Sequence, residues 1–379
     1  MALAIVVVAV AACGSSSSTS PPQTTAPVAT IAPLPTTTSG PVDPSQIWSR
    51  RWIEEVESFI RTDKPGPPAA ARIYAYTAAS YADAVSASDG GRPEANEVTR
   101  QVLRALLPKH AGEIDTFAAT LAPAVTLAKP LQDLAAQYVG RIPTDGSAAD
   151  NPDAAMATEP TGPGHWVRVG GAGPANPTAG AWMRWILPAG TAFTVPPPPE
   201  YGSTAYENEK RIVADFARRR DAVWQAKILR WGGAPGTNGP SGIWLDLFWT
   251  VSGSSYGSDA EFASAQSVLA RTLADAFMEC WKVKYIYWTA RPTMVIPGLQ
   301  TGMDNPPFPG YVSGHSTISA AAATVLGKLV PDRAAEWMRD AEEARDTRLY
   351  AGIHFQVDNT QGFALGEAVG TKIAQTIGL

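Results

Sequence analysis

The helical spacing of apolar residues constrains this fold more than any other feature of the sequence. The first such stretch covers residues 46–61, and its apolar stripe consists of Ile47, Trp52 (or Ile53), Val56 and Ile60. This spacing predicts an amphipathic α-helix. No segment alternates apolar and polar residues for long enough to predict a β-strand. We therefore expect an all-α fold, built as two stacked four-helix bundles in one domain.

Eight further segments have helical patterns: residues 67–85, 95–108, 113–142, 207–231, 258–288, 313–330, 331–355 and 362–377. In the fifth of these, Ser258 is suited to cap the helix N-terminus. The apolar stripe of that helix consists of Leu269, Leu273, Phe277 and Trp281. Residues 144–205 are instead rich in Gly and Pro. A loop of this length is usually functional or closely packed.

The composition supports a folded core and argues against nucleic acid as a partner. Of the 379 residues 45% are hydrophobic, and 12 are Trp, which is enough apolar surface for a large core. The net charge is -5 and no long basic block occurs, whereas a nucleic-acid surface needs clustered Lys and Arg. Cys280 lies within a helical pattern and is expected to be a buried apolar residue.

The first 45 residues have the pattern of an exported protein. Residues 1–13 form a short apolar run that ends in small residues, which predicts a secretion signal. The sequence VAAC resembles a bacterial lipobox, in which Cys13 becomes the lipidated first residue, although no Lys or Arg precedes the apolar run. An ordinary signal peptide and a membrane anchor are the alternatives. Residues 14–45 are rich in Ser, Thr, Pro and Ala and predict a flexible linker.

This pattern predicts a cell-envelope lipoprotein or a secreted protein, attached to the membrane only through lipid. Residues 46–379 then form the helical domain. Outside the N-terminal run, no stretch has the eighteen or so apolar residues that a membrane-spanning helix needs.

Three short motifs between residues 281 and 358 combine cations, histidines and a carboxylate. They are Lys284-x6-Arg291-Pro292, Ser313-Gly314-His315 and Arg348-x5-His354-x3-Asp358. Two of the four histidines of the chain fall in these motifs. Each motif alone is usually structural, but their joint occurrence in this order indicates one site.

The residue types of the motifs suit a tetrahedral oxyanion. Lysine donates to an anion as a point charge and arginine donates to two oxygens at once. Ser313 and Gly314 begin a predicted helix, where free amides favour anions. His354 offers a nitrogen for covalent attack or coordination, and Asp358, four residues on, can orient its ring. His315 is a second imidazole, able to transfer protons near neutral pH.

These motifs resemble the signature of the superfamily that contains type 2 phosphatidic acid phosphatases and vanadium-dependent haloperoxidases. Val312 stands where the signature has proline, and Thr347 stands where it has serine. The frames PPFPGYVSGHSTISAAAATVL and TRLYAGIHFQVDN are similar to the bacterial soluble haloperoxidase-like branch, and the resemblance covers roughly residues 46–379. It implies the helical-bundle fold of that superfamily.

The resemblance also implies the role of each site residue. His354 would coordinate vanadate, His315 would act as acid and base, and Asp358 would support His354. The oxygens of vanadate would be held by Lys284, Arg291, Ser313, Gly314 and Arg348. Trp281 and Phe308 occupy positions that suggest a halide pocket, although core packing explains them equally well.

Three functions are compatible with such a site. A vanadate-dependent haloperoxidase would use hydrogen peroxide and halide to halogenate an organic acceptor. An exported acid phosphatase would hydrolyse a phosphoester through a phosphohistidine, because phosphate can occupy the same site as vanadate. A protein that only binds phosphate or a partner is the third reading, which the intact motifs disfavour. Many relatives are dimers, so a homodimer is compatible with each function.

Overall fold

The computed structural model describes residues 43–168 and 173–379, and these residues form an all-α fold, as the sequence predicts. Its helices are α1 Trp48–Asp63, α2 Pro67–Ala87, α3 Arg92–Leu106, α4 Ala111–Leu121, α5 Lys129–Arg141, α6 Pro152–Met156, α7 Thr204–Arg218, α8 Ala222–Arg230, α9 Gly239–Ser252, α10 Asp259–Tyr287, α11 Pro292–Val295, α12 Gly314–Leu329, α13 Ala334–Tyr350 and α14 Gln356–Ile377. Within the described ranges no β-strand forms, and His165 and Thr289 make one isolated β-bridge.

Helix α10 is the centre of the fold and belongs to both bundles. Ser258 caps it by accepting the Glu261 N–H at 3.2 Å, as its position in the sequence predicts. Helices α1, α2 and α9 contact α10 on one side, with α3 and α5 packed beyond α2, while α12 and α14 contact it on the other, with α13 packed against both. The predicted stripe of α10 is buried, as is Cys280. The last turn of α10 therefore carries Lys284 into the interface of the two bundles.

Two predicted helices are in fact broken, and three helices were not predicted: the long α9 and the short α6 and α11. Within residues 113–142, one helix ends at Leu121 and the next begins at Lys129, because Pro123 and Pro130 cannot continue a helix. The segment 207–231 breaks before Asp221, whose side chain accepts the Trp224 N–H at 2.8 Å and starts a new helix. Helix α9 was not predicted, because it is apolar on most of its surface and shows no amphipathic period.

The Gly- and Pro-rich loop packs closely against the core. Its residues Trp166, Trp182 and Ile186 are buried. Asp275 of α10 holds the loop by accepting the backbone N–H groups of three consecutive residues at 2.7–2.9 Å. A buried carboxylate with three such donors is well compensated. The loop is therefore part of the folded domain.

A row of glycines brings α12 and α14 into backbone contact beside the three motifs. Gly362, Gly366 and Gly370 lie four residues apart on α14. A Cβ atom at Gly362 would lie 2.7 Å from the Ser313 carbonyl oxygen, and one at Gly366 would be closer still to Thr317. This contact places the first turns of the two helices side by side.

The first 42 residues, including the predicted signal, Cys13 and most of the linker, lie outside the described residues. Within the described ranges, no helix has the length and apolarity needed to cross a bilayer.

Replacing Gly366 by alanine should destabilise the protein by about 2 kcal/mol or more, because the added methyl group meets backbone that cannot move aside. Gly140→Ala is the control, since nothing lies within 4 Å of a Cβ there, and it should be neutral or stabilise by about 0.5 kcal/mol. Urea denaturation measures both. Equal stabilities for the two variants would show that the close contact of α12 and α14 is not needed.

Candidate active site

Lys284 reaches the site from the last turn of α10 and is fully buried. Its Nζ donates to the carbonyl oxygens of Pro309 and Gly310, each at 2.8 Å. The ammonium also lies over the rings of Trp281 and Phe308, at 5.6 Å and 5.2 Å from their centroids. Burial lowers the pKa of Lys284 from its ordinary value. The carbonyls and ring faces favour the charged form.

Arg291 is fully buried at the start of α11, and its guanidinium faces the imidazole of His354. Its Nε donates to the Phe308 carbonyl at 3.0 Å, and its Nη1 donates to the Ile353 carbonyl at 3.0 Å. The same Nη1 lies 2.8 Å from His354 Nε2. Nη2 is buried and has no hydrogen-bond partner among the described residues. Burial lowers the pKa of Arg291 to about 10.

Arg348 lies near the end of α13 and also keeps one nitrogen unpaired. Its Nε donates to the Thr347 hydroxyl at 3.0 Å, and its Nη1 contacts the Met303 sulfur at 3.3 Å. Its Nη2 is buried with no partner in the described ranges. Burial and the charge of Arg291 lower the pKa of Arg348 to about 9. Thr347 keeps the hydroxyl that the superfamily's serine would supply, so this departure preserves the contact.

His354 is held by Asp358 from the first turn of α14. The carboxylate oxygen Oδ2 lies 2.9 Å from His354 Nδ1 and accepts the Phe355 N–H at 3.1 Å. Since a carboxylate accepts, Nδ1 carries the proton, and the unprotonated Nε2 accepts a hydrogen bond from Arg291 Nη1. Burial, helped by Arg291, lowers the pKa of His354 well below its usual range, so the ring is neutral at pH 7. Burial raises the pKa of Asp358.

The start of α12 supplies Ser313, Gly314 and His315. The Ser313 N–H donates to the Asp358 carbonyl at 2.9 Å, which joins the first turns of α12 and α14. A Cβ at Gly314 would lie 3.3 Å from the Trp281 ring, so this position favours glycine. His315 Nε2 donates to the Trp231 carbonyl at 2.8 Å, which leaves Nδ1 unprotonated. Burial, with the charge of Arg348, lowers the pKa of His315 well below 6.5.

Trp281 and Phe308 contribute to both the core and the site. Their ring centroids are 4.8 Å apart, and Trp281 Nε1 donates to the Ala175 carbonyl at 2.9 Å. Phe308 also lies under the Arg291 guanidinium, at 5.1 Å from its ring centroid. The two rings are thus buried core residues that form an apolar wall beside the cations.

Several groups that hold the site have no signal in the sequence. The carbonyl oxygens of residues 308, 309, 310, 353 and 231 orient the lysine, Arg291 and His315. Every residue has a carbonyl, so only the fold selects these five. The contact of Met303 with Arg348 bridges 45 residues and could not be predicted either.

The site carries more positive than negative charge. It contains three cations, whereas among the residues that the structure describes Asp358 is the one carboxylate in direct contact with a site residue. Among the described residues, Lys284, Arg291 and Arg348 form no ion pair, and both arginines keep an unpaired buried nitrogen. Burying uncompensated charge is costly. An anion with two or more negative charges, such as vanadate or phosphate, fits these donors.

Sulfate should bind this site with uptake of protons. The charge of sulfate stays constant near neutral pH, so the groups that take up these protons from solvent must belong to the protein. Burial lowers the pKa of Lys284 to about 7 and that of Arg348 to about 9, and a bound anion would raise both, together with the lowered pKa values of His315 and His354. The affinity should consequently decrease as the pH increases from about 6 to about 9. Calorimetry in buffers of different ionisation enthalpy measures the uptake.

Two variants test whether the buried cations bind sulfate. Arg348→Ala removes a cation of the site and should weaken sulfate binding about tenfold or more. Arg104→Ala removes an exposed charge and should leave the affinity unchanged. Binding without proton uptake, at an affinity independent of pH, would contradict the role of the buried cations.

Comparisons with known proteins agree with this arrangement. Residues 264–378 match the model of the PAP2 superfamily. No curated protein matches the sequence. The chain is similar in structure to the first bacterial vanadium-dependent iodoperoxidase, with a TM-score of 0.72 and 20% identity over 89% of this chain and 98% of that one.

Two bacterial vanadium-dependent chloroperoxidase structures are also similar. The apo-type structure has a TM-score of 0.64 and 11% identity, over 85% of this chain and 97% of that one. The holo-type structure has a TM-score of 0.58 and 14% identity, over 91% of this chain and 96% of that one. At these identities the likeness is one of fold. Residues 264–378 thus match the model of the PAP2 superfamily, as the three motifs predict, and the chain has the fold of the bacterial vanadium-dependent haloperoxidases.

Proposed function

We propose that this protein is a vanadate-dependent haloperoxidase, which oxidises halide with hydrogen peroxide and thereby halogenates an organic acceptor. The observation that carries the proposal is the pair of unused donors at the site. Two arginine nitrogens have no partner among the described residues, and the unprotonated His354 Nε2 accepts a hydrogen bond from Arg291 Nη1 at 2.8 Å, a contact that a bound anion would replace. The fold shared with vanadium peroxidases supports vanadate as the anion.

Each proposed vanadate-binding residue acts through charge or through a directed donor. His354 Nε2 would be the ligand of the metal, and its Nδ1–H bond to Asp358 fixes the ring and makes Nε2 more basic. Arg291, Arg348 and Lys284 would donate to the oxygens and offset their charge. Ser313 and Gly314 would add donors from the first turn of α12. Bound vanadate would supply the Lewis acidity that activates peroxide toward halide.

His315 would transfer protons to and from peroxide. Its ring is neutral in the described structure, and it lies close enough to Arg348 for that charge to lower its pKa. An anion at the site would raise this pKa toward neutrality, where a histidine both accepts and donates protons readily. The Trp231 carbonyl holds the ring in one orientation.

Trp281 and Phe308 are proposed to form the halide pocket. Both rings are buried and lie beside Lys284 and Arg291, which would attract halide. Their apolar surface would strip water from the ion, which makes it easier to oxidise.

A phosphatase is the second candidate, because the PAP2 superfamily match is compatible with both chemistries. The same Nε2 of His354 would then attack phosphorus, and His315 would protonate the leaving group. We also propose that the protein is exported, either as a cell-envelope lipoprotein with lipid at Cys13 or as a secreted protein.

The activity is tested on purified protein freed of metal and phosphate. Bromination of a phenolic dye is measured with peroxide and bromide, with and without orthovanadate, and ester hydrolysis is measured in parallel. The proposal expects bromination that requires vanadate and that phosphate suppresses. Ester hydrolysis inhibited by vanadate would identify a phosphatase instead. A folded protein with neither activity would favour the binding-only function.

His354→Ala should abolish vanadate binding and all activity, because it removes the nitrogen proposed to coordinate the metal. Vanadate binding is measured by equilibrium dialysis. Retained affinity in this variant, with an unchanged circular dichroism spectrum, would contradict the assigned ligand.

His315→Ala should retain the oxyanion but slow turnover by about two to four orders of magnitude, which is the usual contribution of a general acid or base. His110→Ala is the matched control, because His110 stacks on Phe59 in another part of the fold. If turnover in His315→Ala equalled that of the control, His315 would have no role in proton transfer.

A further inference from the structure

A cavity lies beside the oxyanion site. Among the described residues, Asp358 is the only one that belongs both to the lining of this cavity and to the site. The cavity has a volume of about 310 Å³ and is enclosed by the loop around His165, the proline segment 197–199, α7 and the start of α14. Lys284, Arg291, Arg348 and both histidines of the motifs are absent from its lining. The cavity is therefore a separate compartment rather than an entrance to the cations.

The charged groups that line this cavity are carboxylates. They are Glu200 at the exposed mouth, Glu209 on α7 and Asp358 at the buried end, and the described lining contains no Lys or Arg. Glu209 Oε2 accepts the Val357 N–H at 3.0 Å, which fixes this carboxylate at the cavity wall. The charge of Asp358 is offset by Lys284 and Arg291, whereas Glu200 and Glu209 face no Lys or Arg among the lining residues. These two glutamates produce a negative potential that favours a positively charged ligand.

Aromatic rings and prolines form the rest of the lining. The ring of Tyr206 lies 5.1 Å from that of Tyr201 and 5.5 Å from that of Phe355. Tyr206 is more than nine-tenths buried, and its hydroxyl has no hydrogen-bond partner in the described ranges. Aromatic faces attract cations and also accept apolar groups. Rings combined with carboxylates are the chemistry of a site for an organic cation.

We propose that this cavity binds a small organic cation, a protonated amine joined to an aromatic or compact apolar body. The amine would lie near Glu209, and the apolar body would lie against Tyr206, Phe355 and the prolines. The proposal does not depend on vanadate or on turnover, so it stands or fails separately from the peroxidase function.

The test compares phenethylamine with 2-phenylethanol, a neutral molecule of nearly the same shape, by calorimetry on the purified protein. Phenethylamine should bind about tenfold more tightly or better, because only the amine is attracted by the carboxylates and ring faces. Glu209→Gln removes one charge but keeps an oxygen for the Val357 N–H. It should weaken amine binding about tenfold and leave alcohol binding unchanged.

Glu207→Gln is the matched control, because it removes an exposed charge from the same helix but does not line the cavity. It should leave both affinities unchanged. Equal affinity for the amine and the alcohol, or equal losses in the two variants, would overturn the proposal. If Glu209→Gln does not fold, Glu200→Gln at the mouth replaces it and should weaken amine binding about threefold; an unchanged affinity would again overturn it.

Discussion

The rest of the site depends on one electrostatic constraint, which is that three cations are buried around a single carboxylate. Burial disfavours the charged forms of these side chains and lowers the pKa values of Lys284, Arg291 and Arg348, and the charge of Arg291 lowers those of the other two further. The fold limits this cost by directing carbonyl oxygens and aromatic faces at the cations. It does not remove the cost, because two guanidinium nitrogens remain without partners in the described ranges. An oxyanion would complete the arrangement.

The constraint explains why the elements around the site pack so closely. Lys284, the start of α12 and the start of α14 must converge, although they are separated by many residues in the chain. The glycines of α14 allow α12 to approach until backbone meets backbone, and the bond from the Ser313 N–H to the Asp358 carbonyl fixes the two first turns. Asp358 thus fixes the backbone of one helix and the imidazole of His354 at once.

Much of this could be predicted from the sequence, and the failures have physical causes. The helical periods predicted the all-α fold, and the three motifs contain the three cations, both histidines and the carboxylate of the site. Pro123 and Asp221 signalled helix breaks that the periodicity of the apolar residues concealed. The glycine row at 362, 366 and 370 was also visible in the sequence as a close-packing signal. The backbone carbonyls around Lys284 and His315 were not, because their position depends on the tertiary fold alone.

The central claim is that the unused donors and His354 form one oxyanion site. The most direct measurement is a crystal structure of the protein soaked in orthovanadate, with the metal located by anomalous scattering. The account expects vanadium bonded to His354 Nε2, oxygens bonded to the free nitrogens of Arg291 and Arg348, and the present contact of Arg291 with Nε2 broken. Vanadium bound elsewhere, or Arg291 still bonded to Nε2 beside a bound anion, would contradict it.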